Sequence, residues 1–254
     1  NLVEGCIFNR GNLTITALIT GSAGLTKSGL ATLTLSSANT YTGLTTIGMG
    51  TLRCGVNDAI STGAVTIFNA TYDLGGYSDT IGALTMTGGS VTTGSGTLTL
   101  GGNVTGRSNI TSALISGYLD LGNATRIFTI ANGTASDDMV ISAAISSVSG
   151  AYGIIKGTAA SILVLSGANT YTGETTVSAG ILDIQSNTAL GTVDGGTTVA
   201  SGAALQLQSG ITVGAEALML NGTGSGTTNT GALRNILGDN TWQGAVTLGM
   251  ATII

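Results

Sequence analysis

LTLSSANTYTGLTTIGMGTL, residues 33–52, returns as LVLSGANTYTGETTVSAGIL at residues 163–182, an offset of 130 positions. Leu33, Leu35, Ser36, Ala38, the string Asn39-Thr-Tyr-Thr-Gly43, Thr45, Thr46, Gly50 and Leu52 all recur. Upstream, NLTITALIT at 12–20 aligns with DMVISAAIS at 138–146 at an offset of 126, so the copies differ by a short indel. A third, partial copy stands at Asn240-Thr-Trp-Gln-Gly244, with Trp242 where the others have Tyr41 and Tyr171. Near-verbatim repetition at this distance turns the question from an active site to an array. The duplication divides the chain at roughly 12–137 and 138–254, within one continuous array over 1–254. Both ends fall in mid-unit, which reads as a piece of a longer polypeptide.

Around the motif, short apolar runs alternate with Gly- or Asn-rich turns every 8 to 12 residues. Strand candidates in the first half are Leu13–Ile19, Thr32–Ser36, Thr45–Ile47, Ala64–Phe68, Ala83–Thr87 and Thr97–Leu100. In the second half they are Asp138–Ile145, Ser161–Ser166, Thr175–Val177, Gly180–Ile184, Thr197–Ala200, Ala204–Gln208, Ala217–Leu220 and Ala245–Leu248. No helical stripe is long enough to predict a helix. Single turns are expected after Asn57 and after Asn187. Even strand spacing permits a sandwich, a barrel or a solenoid, and the duplication selects the solenoid. The fold expected is all-β, a parallel β-helix. At roughly 20 residues per coil it makes about 12 to 13 coils, a rod about 60 Å long at the spacing of paired strands.

The composition fits. Aromatic residues are only 4%, which suits a narrow core of Leu, Ile, Val and Ala. Gly numbers 42 and Pro and His are absent, while 42% hydrophobic residues and a mean hydropathy of +0.45 argue against disorder. The net charge is −5, and the basic residues stand singly at Arg10, Lys27, Arg53, Arg107, Arg126, Lys156 and Arg234. Without a basic cluster, nucleic acid and anionic membrane surfaces are excluded as partners. No apolar run reaches the roughly 18 to 20 residues that span a bilayer. Scarce Cys and Lys beside abundant Thr, Ser and Asn match exported bacterial surface proteins. Cys6 and Cys54 form no disulfide framework or metal motif; two unbonded residues is the plain reading, one disulfide the sharper alternative.

In the recurrent motif, Asn is expected to form a sharp corner by bonding its own backbone two residues on. Gly43 and Gly173 would supply positive φ. Tyr41, Tyr171 and Trp242 would cover the edge of the core.

At these residues the chain resembles the autotransporter-associated β-strand repeat, also called the passenger-associated transport repeat. The resemblance runs from Gly24-Leu-Thr-Lys27 to Leu52 and from Gly153-Ile-Ile-Lys156 to Leu182. The departures are Ala31, Ser37 and Ala160, where glycine is usual. It implies a right-handed parallel β-helix, displayed outside the cell as a spacer or stalk of a long secreted or surface-anchored protein. It implies no catalytic residues.

Enzyme chemistry finds little support. Glycosidases need paired carboxylates, and the acidic residues are dispersed. Asp137-Asp138 is the one adjacent pair, and it reads as a solvated turn rather than a weak calcium site. There is no His to act as a base, so no Ser or Thr is activated. The glycine cluster at 101–106 leads into Arg107 and a strand, not into a phosphate-binding helix. Sequons at Asn12, Asn69, Asn103, Asn109, Asn123, Asn132 and Asn221 follow from composition, and no glycosylation is read from them.

The expected function is structural, with no catalytic, cofactor or metal residues and no cofactor. Its expected partners are further repeats of the same polypeptide or end-to-end copies of itself. The alternative is an adhesin-type module for host or matrix glycan. Tyr72, Tyr77, Tyr118 and Tyr152 lie outside the motif at irregular spacing, which ranks that alternative second.

Overall fold

The computed structural model describes residues 4–158, 160–226 and 230–254. All regular structure there is strand, and every pairing is parallel. One sheet has 12 strands and a second has 13, and the chain alternates between them. Glu4–Phe8, Gly24–Ser28, Thr45–Ile47 and Val65–Phe68 are neighbours in the first sheet; Leu13–Ile15, Thr32–Leu35, Thr51–Cys54 and Thr71–Asp73 are neighbours in the second. Each circuit therefore lands one strand further along both sheets, which is a β-solenoid.

A third, shorter face closes the cross-section. The 11-residue strand Ser90–Leu100 breaks register between Thr92 and Thr97, so its first part pairs in the second sheet. Its last part pairs with Asp79–Ile81 and with the end of Ala113–Asp120, which in turn pairs with Ala144–Ser146. Near the far end Thr212–Val213 pairs with Thr241–Trp242.

The coil period is 20 residues where Leu25 pairs Thr45 and Thr45 pairs Val65. It lengthens to 28 where Arg126 pairs Ile154 and Leu218 pairs Val246, because corner segments there are longer. The 12 strands of the first sheet make 11 steps, a rod about 53 Å long at the interstrand spacing. That is shorter than uniform 20-residue coils would give.

Burial alternates along each strand, as in buried–intermediate–buried for Thr45–Ile47, because successive side chains point to opposite faces. The inward residues stack into ranks. One rank runs Leu13, Leu33, Leu52, Tyr72, Val91, Ile115, Ile141, Leu165, Ile184 and Leu207 by direct pairing. Each fully buried aliphatic side chain contributes about 1.5–3 kcal/mol. An outward rank on the first sheet runs Thr26, Thr46, Thr66, Thr85, Thr105 and Thr129, a β-branched residue suited to a pleated surface.

Several expected strands lose one residue at an end, and two are cut short or split by corners. Leu13–Ile19 ends at Ile15, since the chain then turns onto the third face, where the Ile19 amide is bonded by Asn39. Asp138–Ile145 is split into Met139–Ile141 and Ala144–Ser146, with the amides of Ser142 and Ala143 both directed at the Ile115 carbonyl at a corner. Residues 57–58 and 187–190 form turns, the second closed by Ala189 N–H to the Ser186 carbonyl at 3.1 Å.

Candidate functional site

The repeated motif lies on the third face, and its Asn is a clamp between coils. Asn39 is 6% exposed; its Oδ1 accepts from the Ile19 amide at 2.7 Å and its Nδ2 donates to the Ala59 carbonyl at 2.6 Å. Asn169 repeats this with Ile145 at 2.8 Å and Ala189 at 2.6 Å. One side chain thus satisfies a donor in the coil before, part-buried at Ile19 and buried at Ile145, and a buried acceptor in the coil after. The expected bond to its own backbone is not made, and neither Asn has positive φ.

Gly43 and Gly173 also lack positive φ. The motif needs glycine there for a different reason. A Cβ on Gly43 would collide with the Ala23–Gly24 peptide of the preceding coil, and one on Gly173 with Tyr152–Gly153.

Tyr41 and Tyr171 do not cover an edge; they are 2% and 0% exposed, inside the core. Their hydroxyls lie 2.6 Å from Oγ1 of Thr45 and of Thr175 respectively, both fully buried. Trp242 is half-buried against the core and donates its indole N–H to the Glu216 carbonyl at 3.1 Å.

The lysine of each repeat is also buried. Lys27 and Lys156 have no exposed surface. They sit in inward ranks, Lys27 paired with Ile7 and Ile47 and Lys156 with Phe128 and Val177. Each ammonium reaches the corner at its strand's end. Lys27 Nζ donates to the Gly29 carbonyl at 2.6 Å, and Lys156 Nζ to the carbonyls of Gly157 at 2.7 Å and Thr158 at 2.9 Å and to Ser161 Oγ at 2.8 Å. Burial pulls the Lys156 ammonium down to about 8, against the opposing charge of Asp138. These lysines tie down corner carbonyls and offer solvent no charge.

Asp138 corrects the solvated-turn reading. It is 9% exposed, with Oδ1 accepting from the Gly133 amide at 2.6 Å and Oδ2 from the Ile162 amide at 2.8 Å. It pins the corner of one coil to the strand of the next.

Cys54, Tyr72 and Asp79 form a polar cluster inside the core. Asp79 Oδ2 accepts from the Tyr72 hydroxyl at 2.8 Å and the Ile60 amide at 3.2 Å, with Cys54 Sγ at 3.6 Å. Burial raises the Asp79 carboxyl to about 6 and pushes the Cys54 thiol and Tyr72 phenol up as well. All three are at most 1% exposed, so no substrate reaches them. Cys6 is exposed and Cys54 buried, both free thiols.

Sequence reasoning located the motif but missed the roles of Lys27, Lys156 and the Asn clamp. The signal for the lysines was present: a charge recurring at one register position in a chain only 7% charged.

Residues 25–53 and 160–184 match the family model described as passenger-associated-transport-repeat, so the chain carries two such repeats. Over 125 residues it is 29% identical to the protein named "Adhesin BmaC autotransporter" of Brucella suis biovar 1 (strain 1330). That alignment covers 46% of this chain and 4% of the relative, so the chain spans a small part of the relative's length. No solved structure matches the chain.

Proposed function

We propose that this chain is a rigid stalk segment of an exported, cell-surface autotransporter-like passenger, and that further coils cover its terminal coils. The observation that carries this is the Asn clamp. A motif whose side chain bonds the coil before and the coil after is built for the middle of an array. Asn240 keeps only the first half: its Oδ1 accepts from the Ile211 amide at 2.7 Å, while its Nδ2 turns back to the Leu237 and Gly238 carbonyls. Beside it Ile236, Leu237 and Leu248 are 50%, 67% and 57% exposed. At the other end Phe8 is 62% and Leu13 41% exposed. Unpaired strand edges with exposed apolar ranks invite another parallel coil, from the same polypeptide or from a second copy stacked end to end. The matched repeat and the autotransporter relative support export to the cell surface.

Negative-stain electron microscopy across a concentration series tests this. Unbranched fibres one coil wide support stacking of copies. Short rods that do not change with concentration support coverage by further coils of the same polypeptide. Globular particles contradict the stalk.

The word "Adhesin" in the relative's name favours a second reading, in which the rod also presents a binding surface for host or matrix glycan.

A further inference from the structure

We infer that the corner around Gly88 forms a binding groove for a neutral saccharide. This inference rests on the adhesive reading and goes further by naming the site.

Three successive coils make the groove. The corner of the middle coil is Gly88-Gly89, both left-handed at φ 63° and 74°. On one side stands Asn69, itself left-handed at φ 45°. On the other, the segment 107–112 between Val104–Gly106 and Ala113–Asp120 forms a long corner. Asn109 Nδ2 donates to Asn69 Oδ1 at 2.6 Å across 40 positions, and so bridges over the intervening coil. Only glycine permits this. A Cβ on Gly88 would collide with Asn109 Nδ2, Asn69 Oδ1 and Thr111 Oγ1 alike. Three polar atoms border one notch: Asn109 Nδ2 and Asn69 Oδ1, which are bonded to each other, and Thr111 Oγ1.

Beside the notch is an open groove of about 530 Å³ lined by Asn69, Ser90, Asn109, Ile110, Thr111 and Leu114 among others. Its size falls within the range of small-ligand sites. No charged residue lines it, so an ionic ligand would enter without a counter-charge, at a desolvation cost. Beyond the bond they share, Asn109 Nδ2 keeps a second N–H and Asn69 Oδ1 a second lone pair, and with the Thr111 hydroxyl they offer donors and acceptors side by side, which matches the neighbouring hydroxyls of a sugar ring. Ile110 and Leu114, 78% and 46% exposed, supply an aliphatic surface for the C–H face of that ring. Polar convergence, neutrality and an adjacent apolar patch together select an uncharged saccharide.

The test is saturation-transfer NMR followed by calorimetry on the intact chain. The probes are neutral tetrasaccharides of glucose, galactose, mannose and N-acetylglucosamine, together with a sialylated tetrasaccharide. At least one neutral probe is expected to bind. Asn109→Ala and Thr111→Val are each expected to weaken it about tenfold, the loss of one hydrogen bond, with unchanged circular dichroism; Thr111→Val should also melt like the parent, whereas Asn109→Ala, which gives up the bridge to Asn69, should melt slightly lower. Gly88→Val, which fills the notch, is expected to abolish binding; the two side-chain variants keep the test decisive if it misfolds. The inference is overturned if no neutral probe binds, if the sialylated probe binds more tightly, or if both side-chain variants bind as well as the parent. A chain silent toward saccharides would still be a rod by microscopy, so the two readings fail separately.

Discussion

The hydroxyl of Tyr171 lies 2.6 Å from Oγ1 of Thr175, four residues on, and both side chains are fully buried. Tyr41 and Thr45 repeat the pair at the same distance, 130 positions earlier. In the third copy both partners change together. Trp242 stands for the tyrosine and Val246 for the threonine, and the indole N–H goes to a backbone carbonyl instead. Losing the hydroxyl on one side without the other would strand a buried polar atom, and the repeat avoids that.

Tyr171→Phe therefore leaves Thr175 Oγ1 buried without its partner and costs about 1–3 kcal/mol. Adding Thr175→Val removes the orphan. The double variant is expected to be destabilised by about 1 kcal/mol less than the sum of the two singles. Urea unfolding of the four proteins in the cycle checks this; strict additivity would show that the pair is not coupled.

Asn169→Ala strips partners from the Ile145 amide and the Ala189 carbonyl in two different coils. A loss of about 2–4 kcal/mol is expected, as each is a buried hydrogen bond. Asn240→Ala breaks a single bond to a neighbouring coil and should cost about 1 kcal/mol. Equal effects in thermal unfolding would contradict the two-sided clamp.

Gly173→Ala presses a methyl into the Tyr152–Gly153 backbone of the preceding coil, and overpacking of this kind costs about 3 kcal/mol. Gly202 has φ 82° but open space around its Cα, so Gly202→Ala is expected to cost only about 1 kcal/mol of left-handed strain. Reversal of that order in melting experiments would mean that coil stacking does not set the glycine requirement.

Burial raises the carboxyls of Asp79 and Asp183 from an ordinary 3.8 to about 6. The folded chain holds these protons more tightly than the unfolded chain. Their contribution to stability is therefore full below pH about 4, falls as pH rises from about 4 to about 6, and is flat above. Melting temperature should decline across that window, and Asp79→Asn should flatten the decline. A melting temperature that rises from pH 4 to 6 would count against buried, protonated carboxyls.

The parallel solenoid was legible because the array announces itself twice in the same words, and strands such as Thr45–Ile47 and Thr175–Val177 coincide with their apolar runs. Other strands were not legible. Thr51–Cys54 and Thr71–Asp73 place Arg53 and Asp73 outward as an ion pair of 3.1 Å, so their alternation is too brief to stand out. Within the motif, sequence spacing suggested local corners for Asn39 and Gly43. Their requirements come from residues about 20 positions away, and contacts between coils leave no local trace. The burial of Lys27 and Lys156 leaves no mark in local sequence, because the corner carbonyls that make a buried ammonium tolerable are placed by the fold.

Pulsed electron paramagnetic resonance distinguishes a β-solenoid rod from a folded-back chain, with spin labels in pairs on the outward face of the first sheet. Thr26 is paired in turn with Thr105, Thr198 and Thr247, which lie four, eight and ten strands along that sheet. A rod predicts separations of about 19, 38 and 48 Å, increasing by one strand spacing per coil. If the Thr26–Thr247 distance instead stays near the Thr26–Thr105 value, the chain folds back on itself and is not a β-solenoid stalk.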